Sequence, residues 1–477
     1  MLRKGIVLKR AFSTYAEVSK SLFPTVSKFN EIIADRGQGC YIWDTDGNEY
    51  LDFTSGIGVV STGHSHPRVA EALATQARRL YFAQQNILPV TPAMIQLLER
   101  LKGITPDTLT KFFFCQSGSE AVDNAIKLAR ASTGRQNIIA FQGGYHGRTY
   151  GAMSITTSKT IYRQAFGPLP SGISIANYPY CLHCKARIAA GGLAQTTCEI
   201  PLSDNKGKPT TPSYESRQCC NGPLDDLHML LKTQSHPGDT AAIIVEPILG
   251  EGGFLVPPPG FLTSLRKICD KHGIVLIFDE VQAGLGRTGT WWSHQLLTSC
   301  QPDVLIFAKG IASGFPFAGL AAREDVFIKP INGSNNSRME AGMMGGTYGA
   351  GPMGCAAAVA TIDVIEDEKL LENAKVRGEQ LAKGLNEIAF RGGGDSPIIE
   401  VRGRGLMVAA ELKGSPGIAA RAVKIAGQHG VLLLTCGARE TVRFLPPLVV
   451  NEAQVDRALE VFELALIEAG SSSQESL

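Results

Sequence analysis

From about residue 112 onwards, the chain alternates short, continuous apolar runs with stretches of helical periodicity. Each run has the length of a single strand, and continuous apolarity is typical of strands that are buried on both faces. The runs are KFFFC (111–115), NIIAF (137–141), AAIIV (241–245), IVLIF (274–278) and VLIF (304–307). Helical patterns open at Ser117 and cover 261–272. Buried strands separated by helices predict an α/β domain with a mostly parallel sheet.

The pattern changes from about residue 365 onwards. A long helix is predicted there first, followed by two strands and two more helices, at 366–390, 398–401, 406–411, 418–429 and 452–468. These elements predict a smaller C-terminal α+β domain over 361–477, against which the N-terminal segment 21–65 packs. The large domain then spans 66–360. Inside it we expect an excursion from the sheet over 179–240, which is rich in Cys, Pro and Gly, and a loop over 331–354.

The first residues form a basic segment without acids. Arg3, Lys4, Lys9 and Arg10 lie among apolar residues, and no acid precedes position 17. This composition is typical of mitochondrial transit peptides, so we predict one over residues 1–20 and a matrix location. The alternative is a frayed basic N-terminus on a cytoplasmic protein.

Overall composition excludes several classes of function. The formal net charge is only +2, and no basic stripe is interleaved with aromatic residues, so no nucleic-acid partner is predicted. Every long apolar stretch is broken by charges or glycines, so no membrane span is predicted either. The 11 cysteines are spread over a long chain, for which reduced thiols are the default.

Asp279 and Lys309 follow neighbouring apolar runs, in FDEVQ and FAKG. Ligands of open α/β sheets bind beyond the carboxyl ends of the strands, so both side chains should reach one crevice. A lysine there can form an imine with an aldehyde cofactor, and an aspartate can keep a pyridine nitrogen protonated. Taken singly, each residue has a plainer interpretation, as a solvated lysine and a helix-capping aspartate.

Two further segments also follow strand runs. Ser117-Gly118-Ser119-Glu120 opens a helix whose free N–H groups can bind a phosphate, although a capping box alone would give the same letters. GGYHGR, at 143–148, offers Tyr145 as a stacking face and Arg148 as a carboxylate clamp. Together with Asp279 and Lys309, these segments indicate one cofactor site.

The combined motifs resemble the class III pyridoxal-phosphate aminotransferases of fold type I, and most closely the 4-aminobutyrate aminotransferases. The resemblance runs from about residue 30 to 465. It rests on YIWDTDGNEYLDFTSGIGVVSTGHSHP, SGSEAVDNAIKLAR, GYHGRT, EPILGEGG, FDEVQAGLGRTG, FAKG, GGTYGAGPMGCAAA and RFLPP. As a combination these motifs are specific for the family and less specific for the substrate.

The resemblance implies a role for each matched residue around pyridoxal 5'-phosphate. Lys309 would be the catalytic Schiff-base lysine and the proton shuttle. Asp279 would pair with the pyridine nitrogen, Gln282 would bind the ring hydroxyl, and Tyr145 would stack on the ring with His146 nearby.

The resemblance also implies a dimer that shares its active sites. Gly118 and Ser119 would bind the cofactor phosphate of their own subunit. Thr347, in GGTYGAGP, would reach the phosphate of the neighbouring subunit, so a homodimer is expected.

The implied substrates are an amino donor and a 2-oxo acid acceptor. Arg443 would take the α-carboxylate of glutamate, and Glu251 would pair with Arg443 when 4-aminobutyrate is bound. Arg148 would hold the distal carboxylate, and Glu246 and Ile57 match further pocket positions. The expected reaction transfers the amino group of 4-aminobutyrate to 2-oxoglutarate, giving succinate semialdehyde and glutamate. Acetylornithine or ornithine aminotransferase is the alternative within the family.

Two other motifs indicate different chemistry. GLGRTG (284–289) has the glycine spacing of a dinucleotide site, but it lacks a helix after it and an acid at the end of the next strand, so a nicotinamide-dependent oxidoreductase is disfavoured. A catalytically inert binding protein is disfavoured because every matched cofactor position is filled. Zinc ligation is a minor alternative to reduced thiols, and no metal is predicted; the candidate cysteines are Cys181, Cys184, Cys198, Cys219 and Cys220.

Overall fold

A computed structural model describes residues 14–27, 29–184, 221–327, 339–392 and 396–471. The strands in chain order are β1 Ala34–Gln38, β2 Tyr41–Asp44, β3 Glu49–Asp52, β4 Lys111–Cys115, β5 Asn137–Phe141, β6 Ile173–Ala176, β7 Thr240–Val245, β8 Val275–Asp279, β9 Val304–Phe307, β10 Ala318–Ala322, β11 Ile398–Arg404, β12 Met407–Leu412, β13 Val431–Leu432, β14 Leu434–Cys436 and β15 Thr441–Phe444. The longer α-helices are Pro67–Arg79, Pro92–Ile104, Gly118–Thr133, Gly222–Thr233, Phe261–His272, Pro352–Asp367, Leu370–Arg391, Ile418–Gln428 and Glu452–Ser471, and the short ones are Tyr15–Ser19, Ser55–Gly58, Tyr150–Ile155, His294–Leu297 and Glu324–Phe327.

The largest sheet has the strand order β4-β10-β9-β8-β7-β5-β6. Strands β9, β8, β7, β5 and β6 pair in parallel, while β10 pairs antiparallel with both β9 and β4. The predicted α/β domain with a mostly parallel sheet is confirmed, and the apolar runs of the sequence are its strands.

Helices cover both faces of this sheet. Residues of β7 and β8 alternate between two cores: Ile244 and Ile277 pack with helix Gly118–Thr133, and Ile243 and Leu276 pack with helix Phe261–His272. Each large aliphatic side chain buried in this way contributes about 1.5–3 kcal/mol. Burial on both faces explains why these strands are continuously apolar.

Two smaller sheets lie outside the large one. The antiparallel sheet β11-β12-β15-β14 packs with helices Leu370–Arg391, Ile418–Gln428 and Glu452–Ser471 to form the smaller α+β domain. The other has the order β1-β2-β3-β13, in which β3 near the N-terminus pairs in parallel with β13 near the C-terminus. The domain boundaries themselves stay a prediction.

Strand β10 was not predicted, and its sequence explains why. AGLAA lacks the β-branched and aromatic residues that favour strands. It lies between β4 and β9, and a Cβ on Gly319 would come within 2.6 Å of the Phe113 carbonyl oxygen. Close packing from both sides therefore selects small residues here.

One helix prediction and one loop prediction need correction. The helix expected over 366–390 begins at Leu370, because Lys369 adopts a left-handed conformation (φ 54°) and separates it from helix Pro352–Asp367. The loop expected over 331–354 ends earlier, because helix Pro352–Asp367 begins at Pro352. Proline is favoured at the first position of a helix.

Parts of other predictions lie outside the described residues. These parts are residues 1–13 of the expected transit segment, 185–220 of the expected excursion and 331–338 of the expected loop. The end of the excursion forms helix Gly222–Thr233, whose Leu227, Leu230 and Leu231 are buried. Along the ranges that the structure covers, no helix is long and apolar enough to cross a bilayer.

Arg135 binds backbone groups at the edge of the large sheet where β7 and β8 begin. Asp279 and Lys309 lie at the opposite edge. Its guanidinium donates to the carbonyl oxygens of Pro237, Thr240, His272 and Gly273 at 3.0–3.2 Å. One side chain therefore joins the segments that precede β7 and β8.

Replacing Arg135 with Met should lower the free energy of unfolding by about 2 kcal/mol, because partly buried carbonyls lose a charged donor. Urea unfolding of both proteins would measure the difference. Arg391→Met is the control: it breaks an exposed ion pair with Glu463 and should cost no more than about 1 kcal/mol. Equal losses in the two variants would contradict the role of Arg135.

Candidate active site

Most of the sequence-predicted cofactor residues meet at one edge of the large sheet. Asp279 is the last residue of β8, Glu246 follows β7 directly, and Lys309 lies two residues after β9. Beside this edge is a cavity of about 280 Å³. It is lined by Val59, Gln116, Ser117, Gly118, Ser119, Tyr145, His146, Gly147, Glu246, Asp279, Val281, Gln282, Ala308, Lys309, Gly314, Phe315, Pro316 and Phe317.

Lys309 lies in the wall of the cavity, at the start of a short 3₁₀ segment, Lys309–Ala312. Its backbone is left-handed (φ 45°), a conformation that is uncommon for residues other than glycine. Burial lowers the pKa of the Lys309 amine to about 8, against the opposing charge of Glu251. About a tenth of the amine is therefore neutral at pH 7, far more than for a lysine in water, and the neutral form is the one that acts as a nucleophile or a base.

Asp279 is held by a buried histidine. Its Oδ2 lies 2.7 Å from Nδ1 of His146, and its Oδ1 accepts the Val281 N–H at 3.1 Å. Burial opposes the charged form of His146, but the hydrogen bond and the charge of Asp279 raise its pKa above the ordinary value. The pair places a fixed, hydrogen-bonded carboxylate on the cavity wall.

Glu246 connects two loops of the site. Its carboxylate accepts the N–H groups of Tyr145 and Gly250, both at 2.9 Å. Burial raises the pKa of Glu246 to about 7, with Asp279 adding to the shift and His146 opposing it. The carboxyl group therefore carries a proton in a substantial fraction of molecules at neutral pH.

The start of helix Gly118–Thr133 forms a cradle on the cavity wall. Ser117 caps the helix and, with Glu120, completes the capping box that the sequence also allowed. A Cβ on Gly118 would lie 3.2 Å from Val281, and one on Gly147 would lie 2.1 Å from Oγ of Ser119. Glycine at both positions keeps the helix terminus open, so that its N–H groups and dipole can bind an anion.

Tyr145 lines the cavity and packs against Tyr162. The two rings meet edge to face with centroids 5.2 Å apart. The exposed guanidinium of Arg148 lies 5.9 Å from the Tyr162 ring, and the Arg148 N–H donates to Oγ of Ser119. Tyr162 was not predicted, because no motif surrounds it.

Glu251 and Arg443 form a buried ion pair next to the cavity, across 192 positions of sequence. Oε1 of Glu251 accepts from Nη1 of Arg443 and, at 3.2 Å, from Nε2 of Gln282, which lines the cavity. Burial alone would raise the pKa of Glu251, but Arg443 and Lys309 lower it below the ordinary value. Burial would lower the pKa of Arg443, but the charge of Glu251 raises it above the ordinary value, so both members of the pair are ionised.

These residues fit pyridoxal 5'-phosphate. Oε1 of Gln282 is buried and has no hydrogen-bond partner among the described residues, and a ring hydroxyl would supply a donor. The helix terminus at Gly118 suits a phosphate, Asp279 suits a protonated pyridine nitrogen, and the amine of Lys309 suits an aldehyde. When bound, the cofactor supplies the carbonyl group that takes up an amino group and the ring that withdraws electrons.

Five predicted residues do not line the cavity of this single chain, and these are Ile57, Arg148, Glu251, Thr347 and Arg443. Thr347 is exposed, and Ile57 is half-buried with a left-handed backbone (φ 68°), while its neighbour Val59 lines the wall. The sequence did not point to Val59, Gln116 or the segment Phe315–Phe317, which also line it. Loops without a chemical motif carry these residues, so no local signal marked them.

The structure does not support a dinucleotide site at GLGRTG, and it does not test the cysteines as zinc ligands. GLGRTG forms turns after β8 and opens no helix, and its Arg287 is buried. Across the described ranges, no group of three or more His, Cys, Asp and Glu side chains could hold a metal ion. Cys198, Cys219 and Cys220 lie outside those ranges, so zinc ligation by the cysteines is untested.

Residues 24–466 match the protein-family model described as Aminotransferase class-III. The chain is 36% identical to 5-aminovalerate aminotransferase DavT of Pseudomonas aeruginosa, over 91% of this chain and 93% of that protein. It is also 36% identical to 4-aminobutyrate aminotransferase GabT of Escherichia coli, with 93% and 95% covered, and to an acetylornithine aminotransferase of Methanosarcina mazei, with 91% of each covered.

Solved structures agree. A transaminase from a marine Virgibacillus superposes with a TM-score of 0.81 at 26% identity, covering 96% of this chain and 99% of that one. An amine transaminase from an uncultivated Pseudomonas species, in its PLP-bound form, gives 0.80 at 28% identity, with 94% and 98% covered. The chain therefore belongs to the class III aminotransferases, and its cofactor is pyridoxal 5'-phosphate.

Proposed function

We propose that this aminotransferase moves the amino group of 4-aminobutyrate to 2-oxoglutarate, giving succinate semialdehyde and glutamate. The observation that carries the proposal is the buried ion pair between Glu251 and Arg443 beside Lys309. A buried arginine can bind the α-carboxylate of glutamate or 2-oxoglutarate. 4-Aminobutyrate has no α-carboxylate, and Glu251 can then neutralise Arg443 in its place.

The paired state has an energetic reason. An unpaired charge in this dry region would cost several kcal/mol, so Arg443 needs a carboxylate in both half-reactions. Glu251 supplies it for the donor, and the substrate supplies it for the acceptor. Arg148, whose exposed guanidinium lies 5.9 Å from the Tyr162 ring, would hold the carboxylate that both substrates share.

Lys309 would carry out the chemistry of both half-reactions. Its Nζ would hold the cofactor, and the same amine would move a proton to and from the substrate carbon that bears the amino group. Asp279, whose Oδ2 is hydrogen-bonded to His146, would keep a proton on the pyridine nitrogen. The aromatic residues Tyr145 and Phe317 help to exclude water from this cavity.

We further propose a homodimer with shared active sites, in the mitochondrial matrix. Thr347 is exposed and does not line the cavity of its own chain, as expected of a residue that serves a neighbour. Exposed apolar side chains, among them Tyr81, Ile87, Leu88 and Val90, supply a surface for association. The location rests on the basic N-terminal segment alone.

Related amino donors are the main alternative. DavT acts, by its name, on 5-aminovalerate, which also lacks an α-carboxylate and would use the same ion pair. Acetylornithine and ornithine aminotransferases are the other candidates, because relatives with those names match this chain and its fold. Nicotinamide-dependent oxidation is disfavoured because GLGRTG opens no helix.

Replacing Lys309 with Ala should lower kcat by at least about 10³-fold, because both cofactor attachment and the proton shuttle are lost. The visible absorbance band of the bound cofactor should disappear with it. Lys267→Ala, at an exposed lysine on helix Phe261–His272, is the control and should keep the activity. Near-wild-type turnover of the Lys309 variant would refute the assignment.

Cofactor capture by the cofactor-free protein should depend on pH through Lys309. The lowered pKa, about 8, means that the neutral amine falls about tenfold for each pH unit below 8 and saturates above it. The capture rate, followed by visible absorbance after pyridoxal 5'-phosphate is added, should follow that curve. A rate that still rises steeply between pH 9 and 10 would show a lysine with an ordinary pKa.

Replacing Arg443 with Ala should slow the 2-oxoglutarate half-reaction by about 100-fold and the 4-aminobutyrate half-reaction much less. Each half-reaction can be followed separately, as loss of the visible band with donor alone and its return with acceptor alone. Equal losses would contradict the proposed exchange of partners on Arg443.

The same assay tests the substrate assignment. Bleaching of the wild-type band by 4-aminobutyrate and its recovery with 2-oxoglutarate are the expected results. A band that is bleached by acetylornithine or ornithine, and not by 4-aminobutyrate, would move the assignment to that alternative.

A further inference from the structure

The backbone around Glu251 is held from the smaller domain at two points. The N–H of Gly437, after β14, donates to the Glu251 carbonyl at 2.7 Å. Nε of Arg402, on β11, donates to the Gly253 carbonyl, also at 2.7 Å. A Cβ on Gly437 (φ 72°) would lie 3.0 Å from the Gly252 oxygen, so only glycine allows this approach without a shift. The two hydrogen bonds fix the backbone on both sides of Gly252.

Arg402 is itself locked in place. Its side chain is 3% exposed, and Nη1 lies 2.6 Å from carboxylate oxygens of both Glu400 and Glu411. Its Nη2 donates to the Tyr180 hydroxyl at 3.2 Å, and that hydroxyl donates to Glu411. Every nitrogen of the guanidinium therefore has a partner, and a planar group held on three sides has one orientation.

Sheet register places Arg402 and Arg443 on a common face. Ala409 of β12 pairs with Arg402 of β11 on one side and with Arg443 of β15 on the other. Residues directly opposite in antiparallel strands point to the same face of the sheet. This face contacts the loop Gly250–Gly253 twice: Arg443 binds the side chain of Glu251, and Arg402 binds the backbone two residues further on.

We propose that Arg402 is a positioning residue, which holds the Gly250–Gly253 loop so that Glu251 can pair with Arg443 when the donor lacks an α-carboxylate. This inference rests on the proposed function and adds a determinant of substrate choice that touches no substrate. With the backbone fixed, pairing and release need only rotation of the Glu251 side chain. A less restrained loop would allow Glu251 to occupy a wider range of positions, and the ion pair between Glu251 and Arg443 would be weaker.

The two half-reactions should respond unequally to such loosening. The donor half-reaction needs Glu251 on Arg443, since otherwise the guanidinium is buried without a partner. The acceptor half-reaction needs Arg443 free, so a displaced Glu251 harms it little. A role of the cluster in stability alone would affect both half-reactions equally, which makes their ratio the informative quantity.

The test is Arg402→Lys, which keeps a positive charge between Glu400 and Glu411 but loses the fork that reaches Gly253. In the cofactor-loaded enzyme, kcat/KM of the 4-aminobutyrate half-reaction should fall about five- to tenfold more than that of the 2-oxoglutarate half-reaction. Amide hydrogen exchange of a peptide covering residues 249–256 should speed up, because the loop is less restrained.

Arg135→Lys is the matched control. It makes the same exchange at an arginine that binds backbone carbonyls far from this loop, so the ratio and the exchange of 249–256 should stay as in the wild type. Tyr180→Phe keeps Arg402 and its two carboxylates, and should shift the ratio in the same direction by about twofold. If the Arg402 variant does not fold, the same two measurements on Tyr180→Phe decide the question.

If amide hydrogen exchange of residues 249–256 is unchanged in Arg402→Lys, Arg402 does not restrain the loop. If exchange is faster but the ratio of kcat/KM between the two half-reactions is unchanged, the restraint does not affect substrate choice. These outcomes are distinct from failure of the proposed function. A wild-type enzyme that accepts no donor without an α-carboxylate would refute that function, and hydrogen exchange would still decide whether Arg402 holds the loop.

Discussion

The site depends on burying the amine of Lys309 at the carboxyl edge of the large sheet. In water a lysine is protonated at neutral pH and cannot attack a carbonyl. Burial lowers its pKa to about 8, and the strands β8 and β9 place it beside Asp279. The strong burial of these strands, which stabilises the fold, also provides the dry environment on which the chemistry relies.

The carboxylates around Lys309 differ in their partners, and the partners decide what each can do. Asp279 is hydrogen-bonded to His146, which fixes its carboxylate on the cavity wall, where it can face a pyridine nitrogen. Glu246 is buried and accepts backbone N–H groups, and burial raises its pKa to about 7. Glu251 faces a guanidinium and stays ionised, and on the proposed function a substrate carboxylate takes its place.

Two domains contribute to this pair. Glu251 belongs to a loop between β7 and helix Phe261–His272, while Arg443 projects from β15 of the smaller domain. The same small sheet contacts the Glu251 loop again through Arg402. On the proposed function, substrate choice depends on how the smaller domain packs on the larger one, whereas cofactor attachment uses residues of the large domain.

The sequence by itself determined the strands of the parallel sheet, because burial on both faces leaves a continuous apolar run that needs no partner to be seen. It also brought Asp279, Lys309 and Gly118 to one edge, because parallel strands end at the same side of a sheet. Only the tertiary structure decided the hold of Arg402 on Gly253, the place of Tyr162 beside Tyr145, and the role of AGLAA as strand β10. These depend on register and on contacts across long stretches of chain, and neither leaves a periodic pattern in the local sequence.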